Sequence, residues 1–306
     1  MTIIKNNKSN SIKEQCAQVV VTICAATAVV AVASITLYMI LNGTPALLKV
    51  GIGDILFKTV WQPTAAVPQF GILYVILTSL VGTALAIILG VPIGILTAVF
   101  LAETAPKHIA AIVKPAIELL AGIPSVIYGL LGLLILNPIM YKIELMLFKD
   151  SKTHQFTGGA NLISAVIVLA IMILPTVINI SETAIRSVPQ QLKSSSLALG
   201  ASHIQTIFKV ILPSAKSGII TAIILGVGRA IGEAMAITLV SGSSVNFPLP
   251  FNSVRFLTTS IVSEMGYASD THRQVLFTIG LVLFAFIMII NISLTKILKR
   301  GELEND

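Results

Sequence analysis

Residues 70–101 read FGILYVILTSLVGTALAIILGVPIGILTAVFL, a run without one Lys, Arg, Asp, Glu or His. A helix needs about 20 apolar residues, at ~1.5 Å each, to cross ~30 Å of hydrocarbon. This run exceeds that length, so part of it is expected to tilt or to emerge from the bilayer. Thr78, Gly82, Ala86, Gly90, Gly94 and Ala98 recur at every fourth position. Small side chains at that spacing let membrane helices approach closely.

The remainder of the chain agrees. Of 306 residues, 55% are apolar and 11% charged, and the mean hydropathy is +0.95. Soluble domains carry about 25% charged residues, so a water-facing globule, a disordered chain and a disulfide scaffold are all excluded. Further apolar segments lie near 17–41, 115–136, 161–180, 217–240 and 274–294. Backbone groups must be satisfied internally in lipid, so the spans are predicted to be helices. The expected fold is all-α, a polytopic bundle of about six transmembrane helices. Lys5, Lys8 and Lys13 precede the first segment; its apolar run is longer than the ~7–15 residues of a signal-peptide core, and it reads as a retained helix.

Loop charges set the expected orientation. With the N-terminus inside, the inner segments hold twelve Lys and Arg, including Lys107, Lys114, Arg186, Lys193, Lys209 and Lys216, against seven in the outer loops. That bias places both termini in the cytoplasm, and it accounts for the net charge of +7 without nucleic acid. Cys16 and Cys24 have no CxxC spacing, and the four histidines are scattered. No metal site is expected.

Residues 184–216 form an inner connection too long to lack structure of its own. Helix is predicted over 190–199, with Gly200 as a left-handed terminator and Ser202 capping a second helix. Pro213 then returns the chain to the membrane. Two short helices around a glycine suit docking of a cytoplasmic partner; an amphipathic helix lying in the interface reads equally well.

Arg229 and Glu233 fall inside the fifth apolar segment. Each costs roughly 2.5–3.5 kcal/mol if it faces lipid near the centre, so both are expected to face protein or a water-filled path. On one continuous helix they share a face with Ala222, Gly226, Gly232 and Ala236. Two roles are open, a path or gating pair and an i,i+4 ion pair that locks helices. Glu118, early in the third segment, is a second path candidate or an interfacial carboxylate. Gly82, Gly90, Gly94, Gly226 and Gly232 are expected to serve close packing, and Pro92, Pro124 and Pro175 are candidate hinges or static kinks.

The run LALGASHIQTIFKVILPSAKSGI (197–219) resembles the EAA loop of ATP-binding-cassette importer permeases. Gly200, Leu212 and Pro213 fall at the family spacing, with Val210 in place of an isoleucine. Ser194, Ser195 and Ser196 stand where the family has Glu-Ala-Ala. The runs LGVGRAIGEAMAITLVSG (225–242) and AGIPSVIYGLLGL (121–133) are similar to phosphate-import permeases, to the PstC-like side more than the PstA-like side. The resemblance covers about residue 71 to the C-terminus. It implies a type I importer permease domain over 70–300, after a segment 1–69 and before a tail 301–306. It also implies a PstA-like partner permease, two PstB-like ATPases on the inner loop, and a PstS-like phosphate-binding protein outside. ATP would be used by the ATPase subunits; no Walker A sequence, HExxH or GxSxG occurs in this chain, which is expected to hold no cofactor and to be no enzyme. A permease for another oxyanion or small solute, or an ion-coupled secondary transporter using Arg229 and Glu233, remains the alternative.

Overall fold

The computed structural model describes residues 7–303 of the chain, and side chains over 14–293 together with Thr295 and Lys296. Lys5 and the end of the expected tail lie outside the described residues. The chain begins with a long helix α1 (Asn7–Val50) and a short α2 (Ile52–Phe57). A two-stranded antiparallel hairpin follows, β1 (Trp61–Gln62) with β2 (Gln69–Phe70), pairing Trp61 with Phe70. Helix α3 (Leu73–Thr104) is followed by α4 (Lys107–Gly122), α5 (Ser125–Leu147) and α6 (Leu162–Arg186). At the opposite end from the hairpin come α7 (Gln190–Ala198) and α8 (His203–Ser214). The chain returns through α9 (Lys216–Gly232) and α10 (Met235–Val240), then α11 (Leu257–Glu264) and α12 (Asp270–Leu303).

Five of these helices are long and apolar enough to cross a membrane, and the bent pair α8–α9, turning by 69°, raises the number to six. The third and fifth spans differ from the sequence expectation. The segment near 115–136 is not one helix: Pro124 forces Ile123 out of the helical region (ψ 128°). The first part becomes α4, a mostly exposed helix, and the crossing is made by α5, which runs eleven residues further than expected, to Leu147. The segment near 217–240 is likewise interrupted between α9 and α10.

The core is built on α6. Helix α3 runs parallel to it, and α9 antiparallel. Glycines set the approach: a Cβ on Gly90 would stand 2.7 Å from Ile173, and one on Gly94 2.8 Å from Val177 Cγ1. The other methyl of Val177, Cγ2, lies 3.0 Å from where a Cβ on Gly226 would be. Val177, fully buried, is thus gripped between two glycines on two helices. Gly82 faces the Phe256 ring in the same way. All six small residues of the α3 stripe are buried. Along α6, Leu162 to Val177 belong to a central apolar cluster, and Ile178 to Ile185 to a second cluster with Ile207, Ile211 and Ile219. A third cluster at the hairpin end joins Ile55, Phe70 and Ile72 to Leu257 and Leu276.

Helix α1 stands apart. Its most apolar window has no buried residue, and only its later turns meet α12, with Tyr38 edge-on to Phe277 at 5.5 Å. Cys16 and Cys24 are free and exposed along it.

Candidate functional site: two broken helices and a helical loop

Two interruptions lie side by side. Between α4 and α5, Ile123 and Pro124 are extended, and the Tyr128 hydroxyl donates to the Leu120 carbonyl at 2.7 Å. That carbonyl also accepts the Ile123 N–H at 3.3 Å, so the hydroxyl adds a second, shorter bond at a helix end where carbonyls lack their regular partners. Between α9 and α10, Glu233 is extended (ψ 129°). Its carboxylate accepts the Ala236 N–H at 3.0 Å, and its carbonyl accepts the Thr258 hydroxyl at 2.6 Å. Helices α5 and α10 pack parallel, with Gly129 against Ala236 and Gly132 against Val240. The two breaks therefore sit at one level.

Arg229 occupies the last turn of α9, half-buried, with Nη1 3.4 Å from Thr176 Oγ1 on α6. Of the two roles open to Arg229 and Glu233, the i,i+4 ion pair does not form. An extended backbone at Glu233 destroys the 3.6-residue geometry, and its carboxylate is engaged as the cap of α10 instead. Gly232, expected to serve close packing, has no atom within 4 Å of a Cβ position, and the same holds for Gly228 and Gly122. Gly226 alone of the α9 pair is a packing glycine. Glu118 is exposed on α4, ahead of the crossing rather than within it. The structure thus brings Arg229, Glu233 and Gly232 together beside open space and leaves Glu118 out.

The second part of the site is the loop end. Helix α7 stops at Gly200, whose φ of +85° suits a residue without Cβ. Ser202 then caps α8 reciprocally: its hydroxyl accepts the Gln205 N–H at 3.2 Å, and Gln205 Oε1 accepts the Ser202 N–H at 2.9 Å. The arms are tied by Ser196 and Thr206, hydroxyl to hydroxyl at 2.9 Å. Ser194 donates to the Gln191 carbonyl at 3.0 Å, and Ser195 is exposed. Pro213 and Leu212 close α8, and the chain turns at Ala215 rather than at Pro213; Val210 is half-buried. The buried side of α8, Ile207 and Ile211, holds it to the bundle. The far side is apolar and exposed at Ile204 (69%) and Phe208 (54%), as is Leu199 (89%) at the end of α7.

A six-helix membrane bundle with a capped two-helix loop at one end matches a known family. Residues 90–301 fit the model of the binding-protein-dependent transport system inner membrane component. The chain belongs to that family. A probable ABC transporter permease protein, YqgH, of Bacillus subtilis is 37% identical over 94% of this permease and 93% of its own length. The phosphate transport system permease protein PstC of Xylella fastidiosa is 34% identical, covering 87% and 85%, and that of Pasteurella multocida 35%, covering 78% and 77%. Among solved structures, a bacterial alginate ABC transporter shares the fold over 96% of this permease and 98% of its chain (TM-score 0.66, 16% identity). The methionine ABC transporter MetNI, inward facing, covers 73% and 93% (TM-score 0.55, 19% identity). The architecture is that of type I ABC importer permeases.

Four buried or nearly buried carboxylates in this permease escaped sequence reasoning. Glu182 on α6 accepts from Lys114 at 2.9 Å and Arg186 at 2.7 Å. Glu103, in the last turn of α3, pairs with Lys193 of α7. At the hairpin end Glu144 holds His154 at 2.8 Å and the Thr157 N–H at 2.9 Å. Glu264 gathers Arg255, His272 and the Trp61 indole, joining the hairpin to α11 and α12 beside a cavity of about 770 Å³. At its rim, burial chiefly, and then the Glu264 charge, raise the Tyr267 phenol above its ordinary range, with Arg255 opposing. Only Glu182 carried a sequence signal, its i,i+4 spacing to Arg186 in the favourable order.

Proposed function

We propose that this chain is a permease subunit of an ATP-driven phosphate importer and forms one half of the translocation path. The single observation that carries the reading is Arg229, a cation held half-buried at the level of two helix breaks and beside unfilled space. An intramembrane cation at such a place marks an ion path, and weak, one-sided contacts allow release as well as entry. The phosphate transport permeases of Xylella and Pasteurella support phosphate as the solute. In this reading Arg229 lowers the barrier to the anion. Glu233 maintains the break in α9–α10, a different role from neutralising the arginine. Glu118 has no part in the path.

The α7–α8 loop is the docking surface for a cytoplasmic ATPase, its exposed Leu199, Ile204 and Phe208 entering the partner. Both termini then lie in the cytoplasm, the orientation that the loop charges favour. A PstA-like permease completes the path in the lipid bilayer, two PstB-like ATPases bind and hydrolyse ATP, and a PstS-like protein delivers phosphate from outside. In this reading the hydrolysis of ATP is left to the ATPase subunits. The experiment is uptake of labelled phosphate by the reconstituted complex, with and without ATP and binding protein. Arg229→Gln is expected to abolish uptake while the complex assembles normally; uptake at the native rate would remove Arg229 from the path. Because the YqgH relative's name specifies no solute, a second reading is another oxyanion, which competition against labelled phosphate distinguishes. Gradient-driven uptake without ATP would instead establish a secondary transporter.

A further inference from the structure

The end of α3 departs from regular helix. From Phe100 to Thr104 the turns widen, so that the Ala105 N–H bonds to the Phe100 carbonyl at 2.7 Å, five residues back. In that register the Leu101 carbonyl would pair with residue 106. Pro106 has no N–H to give, and Arg186 Nη2 donates to the Leu101 carbonyl instead, at 2.7 Å. Glu182 holds the same guanidinium in place and receives Lys114 from α4 as well. The bases of α3, α4 and α6 are thereby fastened together.

Helix α7 joins α6 covalently through the turn Ser187–Pro189, and its far end is tied to α8 by the Ser196–Thr206 bond. Lys193, one turn into α7, pairs with Glu103 on the widened end of α3, and both side chains are largely buried, at 20% and 7% exposure. A cavity of about 370 Å³, lined by Glu103, Arg186 and Lys193 together with Ile185, Val188 and Ile211, lies beside the pair, so side chains do not fill the space under α7 there. The ion pair adds a direct tie to α3 in the first turns of α7, where the covalent turn alone would act as a hinge and the hold through α8 is indirect. We propose that the Glu103–Lys193 ion pair is the positioning brace through which movement of the α7–α8 loop turns the closely packed α3–α6 pair instead of bending the Ser187–Pro189 turn. The proposal rests on the reading of this loop as the ATPase-docking surface.

The brace predicts uncoupling rather than loss of assembly. In vesicles holding the complete complex, the measured quantity is labelled inorganic phosphate imported per ATP hydrolysed, normalised to assembled complex. Glu103→Gln and Lys193→Met are expected to leave ATP hydrolysis running while this ratio falls about tenfold, the factor carried by one charge-assisted hydrogen bond. The swap Glu103→Lys with Lys193→Glu is expected to restore it. A native ratio in either single variant, including the case where uptake and hydrolysis fall together with the amount of complex, overturns the brace; so does a swap as uncoupled as the single variants. Failure of the underlying reading shows differently, as a native complex whose ATPase cannot be crosslinked to cysteines placed at Leu199 or Ile204.

Discussion

Substituting Gly94 by alanine places a methyl 2.8 Å from Val177 Cγ1 and 3.0 Å from its Cβ. Ordinary contact begins at 3.4 Å, so the neighbour must give by about 0.6 Å. Val177 has nowhere to go: it is fully buried, β-branched and stiff about χ1, and its second methyl already faces Gly226 at close quarters. Overpacking of this kind costs ~1–3 kcal/mol. Val177→Ala alone removes two buried methyl groups and costs a similar ~1–3 kcal/mol. Combined, the second change should relieve part of the first, because the Val177 Cγ1 methyl struck at 2.8 Å is gone, although the Cβ of residue 177 stays at 3.0 Å. The expected coupling is ~1–2 kcal/mol in favour of the double variant, read as thermal stability of the assembled complex in lipid. Gly226→Ala should be milder, since its methyl would lie at 3.0 Å from a single Val177 methyl. Strict additivity of Gly94→Ala and Val177→Ala would refute the picture of one side chain gripped by two helices.

Gly200→Val puts a β-branched residue at φ +85°, a strain of ~1–3 kcal/mol; co-purification with the ATPase should fall, and Gly200→Asn should retain more of it. Glu264→Ala strands Arg255, His272 and Trp61 together; breaking so enclosed a charge cluster costs ~3–5 kcal/mol and should appear as loss of mature complex, less so for Glu264→Gln. Thr258→Val removes the hydroxyl that donates to the Glu233 carbonyl, a loss of ~1 kcal/mol; phosphate uptake should decline at unchanged complex levels, and an unaffected rate would show that this bond does not fix the break.

Sequence alone carries the membrane bundle because hydropathy averages over about 20 residues, and a single misplaced residue cannot overturn the average. The Gly200–Ser202 turn is legible for the opposite reason: its bonds reach only three residues, within one capping pattern. The breaks fall between these scales. Pro124 announces the first, but its effect is to move the crossing from 115–136 to Ser125–Leu147, which depends on what α5 packs against. At Glu233 the only local sign is the preceding glycine; the carboxylate's choice of the Ala236 N–H over Arg229 follows from one extended residue and from Thr258, twenty-five positions away. Glu103 and Lys193 are separated by 90 positions, and neither carries a mark of the other.

The bond between Arg186 and the Leu101 carbonyl also bears on how the polypeptide is made. Its partners are 85 residues apart, which at a synthesis rate of roughly 5–20 residues per second is about 4–17 s of ribosome time. For that interval the Leu101 carbonyl lacks its final donor, and in the widened register Pro106 cannot supply a local one. The widened end of α3 therefore acquires its finished set of bonds late, from a residue translated long after the segment itself.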